Sequence, residues 1–377
     1  MRPSVYLDCN ATMPVRPQVA VAVAEALAHP GNPSSVHRFG RLARRRTEDA
    51  RERVAALVGA HPANVVFTSG GTEANNLAVR GCGRRRVLVS AVEHDSILGA
   101  HAAPEIIPVD ADGVVDLEAL AALLGDEGDD TLVSVMLANN ETGVIQPVAA
   151  VAELTRSRGA LLHCDAVQAA GKISVDLAAL GADMLSLSAH KLGGAQGAGA
   201  LVLADEALEL VPLLRGGGQE KYRRAGTENV PGIVGFGVAA AIAADELGRT
   251  AGLSVWRDRL ERRAREIAPA STIFGAARAR LPNTSCLTLP GVASDVQVMS
   301  LDLAGVAVSA GSACSSGKVA PSHVLRAMGA TAEQAGSAIR VSLGWGSEEG
   351  DVDRFLDAWA ALARRTGRAG SAAASAA

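Results

Sequence analysis

Between residues 65 and 203 the chain alternates short apolar runs with helical patterns, and this alternation limits its possible folds more than any other feature. Runs at 65–68, 87–90, 105–109, 131–137, 160–164, 183–188 and 199–203 have the length and composition of buried strands. Segments such as 117–124 and 148–158 carry apolar residues at helical spacing between them. Parallel neighbours need a crossover of a dozen or more residues, which a helix supplies. The pattern predicts an α/β fold whose large domain, residues 15–250, holds a mostly parallel seven-stranded sheet covered on both faces. Ligands of such sheets sit beyond the carboxyl ends of the strands.

After Gly216-Gly217-Gly218 and a small-residue helix near 232–247, a charged helix is predicted over 253–267. The rest reads as a smaller α/β domain, residues 251–366, which residues 1–14 are expected to join. Its strands are predicted at 285–289, 306–309 and 338–343, and its helices at 294–304, 323–328 and 349–365. Residues 367–377 are rich in Ala, Ser and Gly and are predicted to be a disordered tail.

The 377 residues are 48% hydrophobic and 20% charged, a composition that builds a packed core. A net charge of −4 exerts no general pull on nucleic acid or anionic lipid. Five scattered cysteines without a CxxC pair argue against a disulfide framework and a zinc cluster, so no metal is expected. The first ten residues lack a signal-peptide core, and the weakly polar run 230–244 is too short to span a bilayer. The expectation is a reducing cytoplasm and no membrane. Arg41, Arg44, Arg45 and Arg46, with Arg51 and Arg53, raise nucleic-acid binding as a possibility. Without interleaved aromatics they read instead as a solvated or dimer-facing helix face, and direct nucleic-acid binding is not expected.

Only four lysines occur, and Lys191 alone directly follows an apolar strand-like run and precedes a glycine-rich turn. Desolvation there favours a nucleophilic amine able to form a Schiff base. Asp165 ends another apolar run 26 positions upstream. A lysine for the aldehyde carbon and an aspartate for the pyridinium nitrogen are the two groups pyridoxal 5'-phosphate needs. Thr68-Ser69-Gly70-Gly71-Thr72-Glu73-Ala74-Asn75-Asn76 follows a strand and opens a helix. Its backbone N–H groups and the Thr72 hydroxyl suit a phosphate, though a plain N-capped turn has the same pattern. His94 could stack on a cofactor ring and move protons, or serve as a structural loop residue. Asn140 and Gln168, each just past a strand-like run, could bond the cofactor's phenolate oxygen.

Taken together these segments resemble the NifS/IscS-type cysteine desulfurases of the class V aminotransferase group, a fold-type-I family dependent on pyridoxal phosphate. The matching segments run in family order. They include Tyr6-Leu7-Asp8 with Asn10-Ala11-Thr12, Gly31-Asn32-Pro33-Ser34-Ser35, Glu93-His94, Asn139 to Gln146, Asp165 to Gln168, Ser188 to Lys191, Gly216 to Glu220, Gly226-Thr227-Glu228-Asn229 and Ser309 to Ser316.

The resemblance implies L-cysteine as substrate, L-alanine as product, and sulfur left on the enzyme as a persulfide for an acceptor protein. An iron–sulfur scaffold or a thiolation enzyme would be such an acceptor. Lys191 would be the Schiff-base lysine, Asp165 the pyridinium partner and His94 the ring-stacking acid/base. Gly71, Thr72, Ser188 and His190 would hold the phosphate. Thr227 would reach the phosphate of a neighbouring subunit, implying a homodimer. Arg340 would clamp the substrate carboxylate with Asn140 beside it, and Cys314 would carry the persulfide. The small and polar residues around Cys314 predict a mobile, solvent-reachable thiol.

Cys9 and Met13 depart from the family's commoner residues, as does Gly194-Ala195-Gln196-Gly197 after the lysine. A selenocysteine lyase and a small-amino-acid aminotransferase are the alternatives within the fold, and an inactive docking scaffold is the alternative outside enzymology.

Overall fold

A computed structural model of the protein describes residues 4–311 and 321–368. Cys314 with its small-residue setting, and the tail from residue 369 onward, lie outside the described residues. After a short strand β1 (Val5–Tyr6), the predicted large sheet follows. It comprises β2 (Val65–Thr68), β3 (Arg86–Ser90), β4 (Glu105–Ile107), β5 (Thr131–Ser134), β6 (Leu161–Asp165), β7 (Met184–Ser188) and β8 (Gly199–Leu203). Their order is β2-β8-β7-β6-β5-β3-β4. All neighbours are parallel except β8, which is antiparallel to both β2 and β7. The run at 105–109 ends two residues early as a strand because Pro108 has no N–H to donate to the ladder.

Alternation along the strands explains why the sheet is covered twice. Phe67, Leu88, Val133, Leu162, Leu185 and Val202 face one hydrophobic core, while Val66, Val87, Leu132, Met184 and Leu201 face another. Successive side chains point to opposite faces, so strands buried on both sides need apolar residues throughout. Two long helices, Pro17–Leu27 and Arg38–Leu57, pack with Val230–Asp245 against the first core. Gly237 permits the closest approach: a Cβ there would lie 2.6 Å from the Cα of Ala50. No single helix among the described residues is long and apolar enough to cross a membrane.

The remaining strands are β9 (Thr284–Thr288), β10 (Val306–Ala307), β11 (Ser309–Ala310) and β12 (Ala338–Ser342). The run read as one strand at 306–309 is two. β10 pairs in parallel with β1, and after Val308 the chain joins a second sheet of order β11-β12-β9. Helices Leu253–Ile267 and Glu349–Arg365 pack with these strands around a separate core that includes Leu260, Ile339, Phe355 and Trp359, with the last two rings stacked at 6.2 Å.

The arginine-rich helix departs from its reading at one position. Arg44, Arg45 and Arg53 are exposed, but Arg51 is buried. Its guanidinium forms a two-pronged pair with Glu220, both contacts 2.8 Å, and lies 4.7 Å over the Phe67 ring. Glu220 in turn accepts from the Phe67 amide at 2.9 Å. That pairing anchors three consecutive residues in the left-handed region: Glu220, Lys221 and Tyr222, at φ 45°, 56° and 65°.

Candidate active site

The carboxyl ends of β6 and β7 stand side by side, since the strands are parallel and Asp165 pairs with Ser186. Because β8 is reversed, its first residue, Gly199, lies between Thr68 and Ser188 at the same edge. A Cβ on Gly199 would meet the Gly70 backbone at 2.5 Å, so only glycine lets the turn before helix Gly71–Gly81 settle onto the strand ends.

These ends open into a cavity of 560 Å³. Ten residues singled out from the sequence line it: Gly71, Thr72, His94, Asn140, Asp165, Gln168, Ser188, His190, Lys191 and Arg340. Thr227 is exposed and is not among the lining residues. Cys314 cannot be placed among the described residues, yet Gly311 and Pro321, the described residues on either side of its segment, both line the cavity.

The floor is one hydrogen-bonded relay. Asp165 accepts from the Val167 amide at 2.9 Å and from Asn75 Nδ2 at 2.7 Å. Asn75 spends its other N–H on Ser96 Oγ at 2.8 Å, and its buried Oδ1 has no partner among the described residues. Ser96 Oγ lies 2.8 Å from His94 Nδ1, which also accepts from the Ser96 amide at 3.1 Å. An Nδ1 that accepts an amide proton leaves the neutral ring's own proton on Nε2. Beneath this relay burial dominates the ionisation of two groups. It pushes Glu93 well above the usual carboxylate range, with Asp165 adding to the effect, and it pushes His163 down to about 4.

Lys191 follows β7 on a single 3-10 turn, Ala189–Lys191. Its Nζ donates to the carbonyls of Asn10 at 2.5 Å and Ala11 at 2.8 Å. His190 Nδ1 lies 3.1 Å from Thr12 Oγ1. Burial, then the charges of Lys191 and Lys172, hold the His190 ring down at about 4.

The rim comes from distant parts of the chain. Arg340, on β12, donates to Asp8 Oδ1 at 2.7 Å and to the Asn140 carbonyl at 3.0 Å, while its buried Nε has no partner among the described residues. Glu141 accepts from Ser322 Oγ at 2.6 Å. Burial raises its carboxyl to about 7 against the opposing pull of Ser322 and Arg340. His323 lines the cavity and its Nε2 lies 2.9 Å from the Glu93 carbonyl.

Sequence reasoning assigned no site role to Asn10, Asn75, Glu141 or His323. Asn10 is the hub of the rim: its carbonyl accepts from Lys191 and Gln168, and its Nδ2 donates to Asn140 and Thr284. The quoted motifs contained the first three of these residues, but no local signal separates them from neighbours. The departures Cys9 and Met13 pack against one glycine: a Cβ on Gly344 would meet Cys9 Sγ at 2.5 Å and Met13 Sδ at 2.6 Å.

A nucleophilic amine, a carboxylate, a proton-bearing imidazole and an arginine thus share one cavity, an arrangement suited to capturing a carbonyl group and shuttling protons around it. The aminotransferase class-V family model matches residues 5–355. A cysteine desulfurase of Cereibacter sphaeroides is 44% identical, with 94% of each chain covered. The solved NifS-like protein of Rickettsia africae superposes with a TM-score of 0.88 at 34% identity, covering 96% of this chain and 99% of the other. A structure described as SspA in complex with cysteine superposes at 0.78 with 29% identity, covering 90% and 99%. The chain belongs to the aminotransferase class-V family, among its NifS/IscS-type cysteine desulfurases.

Proposed function

We propose that the protein is a pyridoxal 5'-phosphate-dependent cysteine desulfurase that converts L-cysteine to L-alanine and passes the sulfur, as a persulfide on Cys314, to an acceptor protein. The observation that carries this reading is the convergence of Lys191, Asp165, His94 and Arg340 on one cavity bordered by Gly311 and Pro321.

The residues fit the cofactor. The first N–H groups of helix Gly71–Gly81 have no intrahelical partners, and Thr72, Ser188 and His190 line the cavity with them, a donor set suited to phosphate. A side chain at Gly71 would crowd that end, reaching 3.0 Å from Val167 Cγ2. Asp165, oriented by Asn75, offers its carboxylate to a ring nitrogen. When bound, the cofactor supplies an aldehyde carbon for an amine and a cationic ring that takes up an electron pair.

The chain's own residues do the rest. Arg340 holds the substrate carboxylate beside Asn140. Lys191 would hold the cofactor through its aldehyde carbon, and its Nζ, free once a substrate amine is bound there, would take the Cα proton. Cys314, as thiolate, attacks the substrate sulfur: an S–S bond forms, the substrate's C–S bond breaks, and its electron pair stays with the carbon skeleton. His94, protonated on Nε2, moves the protons that alanine needs. The persulfide is a reversible carrier. Elimination supports Cys314, since Cys9, Cys82, Cys164 and Cys286 are all buried and burial pushes each thiol up, Cys9 to about 12.

The reading extends to a cytoplasmic homodimer in which exposed Thr227 serves the neighbouring subunit's phosphate. It takes residues 15–250 as the cofactor domain, and 1–14 with 251–366 as the smaller one. An iron–sulfur scaffold or a thiolation enzyme is the acceptor it implies. Cys314→Ser decides the central claim. The variant should keep its cofactor and bind L-cysteine but make almost no alanine, and wild-type protein should gain one sulfur at Cys314 by peptide mass. Near-normal turnover in the variant, with no persulfide on Cys314, would sink the reading.

A further inference from the structure

Lys172 has no task in the mechanism above, yet it is only 3% exposed and sits directly behind the cavity wall. Its Nζ donates to Gln168 Oε1 at 2.6 Å and to Asn10 Oδ1 at 3.0 Å. An amine flanked by two carboxamides acts as an orientation key. A lysine ammonium can only donate, so each amide must turn its oxygen toward it and its N–H₂ away.

For Asn10 the key is redundant, because Asn283 Nδ2 also donates to Oδ1, at 3.1 Å. For Gln168, Lys172 is the partner of Oε1 among the described residues. With the oxygen so held, Gln168 Nε2 gives one N–H to the Asn10 carbonyl at 2.9 Å, the same carbonyl that accepts from Lys191. Its second N–H is left for whatever occupies the cavity that Gln168 lines. Were the amide reversed, Oε1 would face the Asn10 carbonyl and the occupant's oxygen, both acceptors.

We propose that Lys172 is a positioning residue that locks the Gln168 amide with its N–H side toward the cofactor's phenolate oxygen. Burial and the nearby Lys191 charge push the Lys172 amine well below the ordinary lysine range. A neutral amine keeps the two N–H groups these contacts use but gains a lone pair, and the Asn10 carbonyl, which accepts from Gln168 Nε2, then shares in fixing the amide. The other ionisable groups facing it are Cys9 and Arg340.

The inference rests on the cofactor reading, and one experiment separates the two. Wild-type protein loaded with pyridoxal phosphate must show a visible band and a borohydride adduct on Lys191. Absence of both defeats the reading and this inference with it. With both present, the pH midpoint of the visible band is measured in variants. Lys172→Met frees the Gln168 amide to turn over, the phenolate loses a donor, and the proton shared near it is held more tightly. The midpoint should therefore rise by about one pH unit. In a Gln168→Leu background, Lys172→Met should add no further shift. An unchanged midpoint in Lys172→Met, or an equal shift when Gln168 is already leucine, overturns the proposal. If Lys172→Met alone gives no soluble protein, Gln168→Leu is compared with the double variant, in which both buried partners are replaced. Equal midpoints support the lock and unequal ones refute it.

Discussion

The floor and the rim of the cavity are built in opposite ways. The floor (Asp165, Asn75, Ser96, His94 and the Ser188–Lys191 turn) comes from strand ends of one sheet and the helix starts that follow them, and its polar contacts link neighbouring elements. The rim is closed by contacts between residues far apart in sequence, such as Asp8 with Arg340 and Glu141 with Ser322. The floor inherits its geometry from a sheet buried on both faces. The rim exists only when separate cores come together, and it carries the carboxyl whose ionisation lies near neutrality. Changes to the floor should therefore cost chemistry, and changes to the rim should cost stability and substrate affinity.

The largest effect should come from the floor. Lys191→Ala should lower turnover at least about a thousandfold, as expected when a group that acts covalently is lost. It should leave the denaturation midpoint nearly unchanged. A variant with unaltered chemistry but a lost fold would reverse the comparison.

Next is the pH dependence set by Glu141. Its carboxyl titrates near 7 in the folded chain, raised from 4.5. Between those values the folded chain binds more protons than the unfolded one, so this group makes stability fall as pH rises, by about 3 kcal/mol at most. Arg340, Asp95 and Ser322 are the groups that act on it. His163 and His190, held at about 4 from 6.5, act oppositely, with stability lost as pH falls through that window. Glu141→Gln should remove only the first slope. Urea midpoints at pH 5 and pH 7.5 would show it: the variant should gain on wild type at the higher pH, and an equal gain at both would break the assignment.

A smaller effect is expected at the outer edge of the rim. Asp8→Ala leaves the Arg340 guanidinium without its carboxylate and should cost about 2 kcal/mol in a urea titration, with a raised KM for L-cysteine. A variant with normal stability and normal KM would show that the pair does not hold the arginine in place.

The same division separates what the sequence made legible from what it did not. The seven strands and the glycine turn, and with them Lys191, Asp165 and His94 as residues that line the cavity, were legible because each sits at a period change or just past a strand end within a continuous stretch. Strand ends moved by a residue or two where Pro108 or the sheet switch at Val308 intervened, and the run at 131–137 ends as a strand three residues early, at Ser134. Asn10, Glu141 and His323 were not readable as site residues, since their importance comes from partners more than a hundred residues away and leaves no periodic trace. Arg51 was misread for the same reason. An arginine in an arginine-rich helix looks solvated until Glu220 is placed against it.

That last pair has a consequence for how this sequence can drift. Three successive left-handed residues cost on the order of 1–2 kcal/mol each, and they persist only while surrounding contacts hold them. Losing Arg51 would strand a buried carboxylate and release that tract together, and losing Glu220 would strand the guanidinium. Positions 51 and 220 can therefore change only as a pair across descent, whereas the exposed Arg44, Arg45 and Arg53 on the same helix are tied to no such buried carboxylate. Related sequences offer the check: a relative that keeps the glutamate but has lost the arginine, with nothing basic in its place, would show that the two positions evolve independently.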